Sequence, residues 1–450
     1  MKNTILVAIL LLSIKQICIA QNTDNQQDTT KKEETTTKVP FDGMDLTWIN
    51  GQNRQRNFPL VFSDKQTNET IITGVAYLDT YFNYNFANPK DNTQTISSTM
   101  GRTNEFTLNL ASVGIETNYK NIIGRVWLQT GQMLEIVQKL DGTVGRGRNT
   151  STENLRFIRE AAAGYHFNKW YGINIEAGIF MSYIGLESYM LQENWSYQRS
   201  MVCDFTPFYF SGARIQAFPT KNFKTELWLM NGWQTYNQWN TSLGIGSSNY
   251  YRPTENIQLV ANFYYGKDSR NIDRIRFHHD NSIVARYYKS KDSKGISQAA
   301  FSLNTHYGFQ SGAGASPSNQ YMTGTSLANR IWFNQNKLAL TLRGDVLTNP
   351  SLYLAFSPSN VANNDFNDAM ANDPKQQLNI GQFTATFDIM PNDFVTFRIE
   401  YGYRSSNVPY FAGSGGTTSP DGWIDTPTNT WRPDLQKTEN RLTIATSFRL

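Results

Sequence analysis

The chain has 450 residues, 39% of them hydrophobic and 17% charged, with 27 Phe, 23 Tyr and 10 Trp. Its 41 Lys and Arg against 37 Asp and Glu leave a net charge of +4, without the clustered basic face that a nucleic-acid partner requires. Mean hydropathy is −0.50, and after Ala20 no run of about eighteen apolar residues occurs, which excludes helical membrane spans.

In chain order, Met1 to Ala20 reads as a secretory signal peptide: Lys2 is the positive start, Thr4 to Ile14 the short apolar core, and Cys18-Ile19-Ala20 the cleavage site. The bulky Ile17 argues against lipidation of Cys18. Cys203 is then the sole thiol of the mature chain, so no internal disulfide forms, and a packed small residue is its expected role. Gln21 to about Lys38 contains no apolar residue and is expected to be a disordered leader. Asp42 to Leu60 carries Trp48, Ile49 and Phe58 and could lie against a barrel or in its mouth. The expected organisation is 1–20 signal peptide, 21–69 polar periplasmic leader and pre-barrel segment, and 70–450 outer-membrane β-barrel. The pre-barrel region is too short for a folded plug domain.

From there the chain falls into alternating segments of about ten residues. Val75, Tyr77, Asp79 and Tyr81 alternate with Ala76, Leu78, Thr80 and Phe82; Phe106, Leu108 and Leu110 alternate with Thr107 and Asn109. In Leu338 to Asp345, Leu338, Leu340 and Leu342 oppose Thr341, Arg343 and Asp345. In Val395 to Arg404, Val395, Phe397, Ile399, Tyr401 and Tyr403 oppose Thr396, Arg398, Glu400 and Arg404. Lipid outside and water inside would impose that separation, although a soluble sandwich shows it too. The closing stretch, Glu439 to Leu450, has Leu442, Ile444, Phe448 and Leu450 on one face and Arg441, Thr443, Ser447 and Arg449 on the other. It resembles the carboxy-terminal strand by which the barrel assembly machinery recognises its clients, with Leu450 where Phe is usual.

The links discriminate between these folds. Short turns fall at Asn118 to Asn121, Asn168 to Trp170, Pro219 to Asn222, Pro253 to Asn256, Ser290 to Gly295, Asn334 to Lys337 and Pro391 to Asp393. Long links separate them, among them Ile184 to Thr206, Lys267 to Asn281, Asn349 to Lys375 and Asn407 to Thr438. Strict alternation of short and long is the mark of an up-and-down barrel. The fold expected is therefore all-β: a transmembrane up-and-down antiparallel β-barrel of about sixteen strands (14 to 18), wide enough for an aqueous channel. The Gly-rich Leu243 to Arg252 is its weakest strand.

Several blocks carry a family resemblance: GIFMSYIGLES from Gly178, ENW from Glu193, TPFY from Thr206, SGAR from Ser211, LWLMNGWQ from Leu227, RFHHDNS from Arg276, and SNVPYFAG from Ser406 with SPDGW from Ser419. The chain resembles the β-barrel porin-2 (OmpL-like) family of outer-membrane proteins over roughly Trp48 to Leu450. The resemblance implies a barrel that passes small solutes and supplies no defined substrate.

Three stretches are candidates for more than wall. In Gly185 to Ser200, Glu187, Glu193 and Arg199 could fold inward as a charged pore constriction, or Glu187 and Arg199 could simply pair to pin the loop. The inward face is expected to carry Arg214, Glu226, Arg343, Asp345, Asp388, Arg398, Glu400 and Arg404, together with Arg125, Glu160, Arg286 and Arg330. Arginines outnumber acids there, which suggests a mild anion preference unless neighbours pair across strands. His278-His279-Asp280-Asn281-Ser282 is placed in a loop, where hydrogen bonding is its expected role. Adjacent strand residues would point to opposite faces, and neither a nucleophile–base arrangement nor a metal-ligand spacing is present. Thr143 to Thr150 (TVGRGRNT) reads as a flexible loop tip.

The expected function is an outer-membrane porin for passive diffusion of small hydrophilic solutes, not an enzyme, with no cofactor or metal. Its partners would be outer-membrane lipid, small polar solutes and, through the C-terminal strand, the assembly machinery. The alternative is a barrel that holds a surface partner through its long loops, with Trp423 and Trp431 as candidate contacts.

Overall fold

The computed structural model describes residues 38–94, 97–143, 152–238, 242–267, 273–290, 294–354, 357–373 and 375–450. The stretches expected to be a signal peptide and, nearly all of it, a polar leader lie outside the described residues, as does the expected loop tip from 144 to 150. Among the described residues, sixteen long strands form the wall. The first eight are β1 (Thr70–Asn85), β2 (Phe106–Tyr119), β3 (Ile122–Thr130), β4 (Ile158–Phe167), β5 (Ile173–Met181), β6 (Tyr209–Thr220), β7 (Phe223–Met230) and β8 (Gly244–Thr254). The second eight are β9 (Ile257–Gly266), β10 (Ile275–Lys289), β11 (Ile296–Ser311), β12 (Tyr321–Phe333), β13 (Leu338–Pro350), β14 (Gln377–Ile389), β15 (Val395–Ser406) and β16 (Thr438–Arg449).

Each strand pairs antiparallel with its sequence neighbours, and β16 pairs with β1, which closes the sheet without a free edge. At that seam Leu442 faces Tyr84, Ile444 faces Phe82 and Phe448 faces Leu78 on the outside. On the inside Thr443 donates to Asn83 at 2.8 Å and Ser447 to Asp79 at 2.6 Å. Leu450 completes the seam by exchanging backbone hydrogen bonds with Ala76 at 2.9 and 3.0 Å.

The period-two pattern sets the faces. On β15, Phe397, Ile399, Tyr401 and Tyr403 stand exposed on the outer surface while Arg398, Glu400 and Arg404 are buried within. The same split runs along β13 and β16. All seven short links join strands at one end of the barrel, and all eight long ones lie at the other. Lys120 and Asn121 link β2 to β3 with φ of 48° and 68°, the paired positive values of a tight hairpin, in which Asn is well tolerated. The Gly-rich stretch forms β8 as expected.

Two loop helices escape period-two reading: α1 (Gln132–Lys139) in the second long loop and α2 (Asp365–Asn372) in the seventh. One placement is overturned. The histidine run is part of β10, not of a loop, because its inward members are polar and its outward ones pack on the wall. His278 faces inward beside His306, with a ring nitrogen contact of 3.0 Å, and His279 stacks on Phe263 outside.

Candidate functional site

The third long loop, 182–208, turns into the barrel and fills its middle. Tyr183 and Ile184 pack on Phe210, Trp228 and Tyr264 of the wall. Trp195 sits against Trp332, Ala328 and Met390. A short helical turn, Met201–Asp204, is buried under Met322, Leu347 and Ile380, roofed by Phe366 of the seventh loop and Tyr410 of the eighth. Burial pushes the Cys203 thiol in this turn up to about 12, so it is an inert packed residue.

A loop with this much backbone in a lumen needs polar partners, and the wall supplies them. Arg398 donates to the carbonyls of Leu191 (3.0 Å) and Asn194 (2.8 Å), Arg330 to that of Trp195 (3.0 Å), and Arg343 to that of Gln198 (2.7 Å). The Glu400 carboxylate accepts from the backbone amides of Tyr197 (2.6 Å) and Gln198 (3.1 Å). Asp79 of β1 accepts the Tyr197 hydroxyl, and Asp280 of β10 the amide of Gly185 at 3.1 Å. Carboxylates neutralise the same arginines: Asp388 lies 2.6 Å from Arg398 and 2.7 Å from Arg330, and Asp345 lies 3.2 Å from Arg343; nearby, Glu439 lies 2.6 Å from Arg404.

Residues 41–57 cross the barrel mouth at the short-turn end as a strap. The Phe41 amide donates to the Lys221 carbonyl at 2.9 Å, and Asp45 lies 3.2 Å from Arg286. Trp48 and Ile49 are buried, the Trp48 carbonyl accepting from the Trp195 indole at 2.9 Å. Arg54 then reaches the Val395 carbonyl on the far side at 2.7 Å. The strap thus meets the inward loop against the wall at Ala300, Ala328 and Trp332.

The inner wall divides into two charged halves. From β3 to β7, Arg125 bridges Glu160 (2.9 Å) and Glu176 (2.8 Å), Arg214 bridges Glu176 (2.7 Å), and Lys224 lies 3.0 Å from Glu226. The cations here keep contact with solvent, 17% exposed at Arg125, 16% at Arg214 and 18% at Lys224, while Glu176 and Glu226 are buried. From β12 to β16 the charged side chains are sealed, with 0% at Arg404, Asp388 and Arg441 and 3% at Arg398, save Arg449 at the end of β16. A cavity of about 210 Å³ remains beside the inward loop, with Glu187, Arg199, Tyr189, Tyr250 and Gln258 in its lining.

The structure separates residues that look alike in the sequence. Glu187 and Arg199 share this cavity, but they do not pair. Glu187 accepts from Ser200 and lies 3.1 Å from Arg343, because that wall arginine projects into the loop's turn. Arg199 stacks on Phe208 with its guanidinium carbon 4.5 Å from the ring centre. Its Nε and Nη1 have no hydrogen-bond partner among the described residues. Glu193 stands elsewhere, paired with Arg449 at the end of β16. Of the wall candidates, Arg214 and Glu226 belong to the open half. Arg343, Asp345, Asp388, Arg398, Glu400 and Arg404 belong to the sealed half, which binds the loop. Trp195, Tyr197 and Arg54 are contacts that no periodic pattern in the sequence marks; the density of aromatics around Trp195 is the available signal.

No curated protein matches the sequence. Among solved structures, the anion-selective porin from Comamonas acidovorans superposes with a TM-score of 0.51 at 8% identity, over 84% of this chain and 99% of that one. The outer membrane channel DcaP of Acinetobacter baumannii gives 0.49 at 10% identity, over 87% and 99%. The first of these likenesses supports a porin-type barrel fold. The family described as "Putative beta-barrel porin-2, OmpL-like" matches residues 72–449, nearly the whole wall and its loops. With that match, this chain belongs to the β-barrel porin-2, OmpL-like, family of outer-membrane proteins.

Proposed function

We propose that the protein is a narrow diffusion channel for small hydrophilic solutes, with its short turns in the periplasm and its long loops outside. The observation that carries this reading is the asymmetry of the inner wall. A passage needs polar groups that remain accessible inside the barrel, and Arg125, Glu160, Arg214 and Lys224 do. The path runs along that ladder and past the cavity beside the inward loop. Glu187 and Arg199 flank it there as constriction residues.

Three cations and three carboxylates alternate along the ladder, so its fields largely cancel. Arg199 supplies the local excess of positive potential, in a setting where low-dielectric walls strengthen it. The channel is accordingly expected to favour small anions mildly. The C-terminal strand, joined to Ala76 at the seam, is the segment proposed to engage the assembly machinery. Planar-bilayer recording on the refolded full chain tests the reading: small, discrete conductance steps are expected. Protein that inserts stably and passes no current would count against it.

A further inference from the structure

We infer that the outer vestibule is a binding site for a neutral, hydroxyl-rich oligosaccharide, with Trp423 as its stacking platform. A cavity of about 1320 Å³ opens between the first, second, seventh and eighth long loops. That exceeds the roughly 300–1,000 Å³ of pockets that take drug-sized ligands and leaves room for several sugar rings.

The charges lining this cavity are already engaged. The Asp91 carboxylate accepts from the backbone amides and hydroxyls of Thr417 and Thr418 at 2.6 to 3.2 Å. Arg102 forks onto Glu105 at 2.6 and 3.0 Å, and Glu135 lies 3.0 Å from Arg156. Asp421 accepts from Ser419, Thr426 and the Trp423 amide, and the Lys90 ammonium donates to the Pro420 carbonyl at 2.9 Å. With Lys90 and Arg102 set among Asp91, Glu135 and Asp421, the lining has no strong field of one sign, and a charged ligand gains little here. By contrast, the side chains of Thr93, Asn360, Thr428 and Asn429 line the same cavity and make no hydrogen bond among the described residues. These neutral donors and acceptors suit hydroxyl groups.

The aromatic surface completes the match. Trp423 is 72% exposed and Ile424 91%, yet both border the cavity. The turn that presents them is fixed: Gly422 adopts φ of +94° and donates to the Ser419 hydroxyl at 3.0 Å. A Cβ on Gly422 would stand 3.0 Å from the Lys90 carbonyl oxygen, so the turn packs closely on the first loop. A solvent-facing indole carried on a fixed turn, beside unengaged amides and hydroxyls, presents an apolar face and a polar fringe together, as the two sides of a sugar ring do.

The test uses full-length protein in detergent, titrated with maltohexaose, cellohexaose, xylohexaose and mannohexaose while tryptophan fluorescence and heat are recorded. At least one neutral hexasaccharide is expected to bind saturably. Trp423→Ala should weaken that binding at least tenfold, and Asn360→Ala with Asn429→Ala severalfold, with heat-modifiable migration on gels showing that the barrel is intact. Absence of binding by all four sugars overturns the inference. So does tighter binding of hexagalacturonate or of an uncharged hexapeptide, or unchanged affinity in Trp423→Ala. Channel recording on the same samples is a separate readout, since the site stands whether or not the barrel conducts.

Discussion

The two halves of the inner wall are built from the same residue types in the same alternating strands, yet they do different work. From β3 to β7, Arg125, Arg214 and Lys224 meet carboxylates on neighbouring strands and keep part of their surface in the lumen. From β12 to β16, Arg330, Arg343 and Arg398 meet carboxylates and, in addition, backbone carbonyls of the inward loop. An arginine in a barrel lumen is therefore not by default a selectivity group. What distinguishes the two roles is whether its remaining donors face solvent or a peptide carbonyl.

The comparison breaks most visibly if the sealed half is cut. Arg398→Ala removes two carbonyl contacts and one partner of buried Asp388. Leaving a buried ion without its partner costs about 3–5 kcal/mol, and Arg330, still 2.7 Å from Asp388, holds the loss toward the lower end. Chemical unfolding in detergent should show that loss, and single-channel conductance should rise severalfold as the loop loosens. Removing the strap, with the chain starting at Phe58, is expected to raise conductance about twofold with less loss of stability. The strap is bound at its ends and at Trp48, whereas the inward loop is gripped along its length.

On the open half, Arg214→Gln, which leaves buried Glu176 paired with Arg125 at 2.8 Å, should cost less stability than Arg398→Ala and move the reversal potential in a salt gradient toward cation preference. A smaller shift in the same direction is expected from Arg199→Gln alone. Glu187→Gln combined with Arg199→Gln should return selectivity close to neutral. Equal effects of the β3–β7 and β12–β16 substitutions on selectivity would erase the distinction.

Much of the wall was legible in the sequence, because lipid on one side and polar groups on the other impose a period of two that no local context overrides. The seven tight links carried their own chemistry, as at Lys120-Asn121. The His278-His279 run was misplaced because a polar string resembles a loop when the inner face of the wall is itself polar. The inward loop was identified as a candidate, but its partners were not. Arg125 and Arg398 both stand inward in alternating strands, and nothing within ten residues of either reports what the third loop brings against it. That contact depends on a non-periodic segment folding across the lumen, a tertiary fact with no local signature.

The most direct test places a reporter on each half. In a Cys203→Ser background, Arg214→Cys on the open half and Thr386→Cys on the sealed half are exposed to a small cationic thiol reagent while current through single channels is recorded. Thr386 is 0% exposed and its hydroxyl donates to Glu400 at 2.8 Å. The account predicts rapid modification and a stepwise change in current at position 214, with no reaction at 386 in the folded channel. Modification at 386 as fast as at 214, or faster, would contradict it.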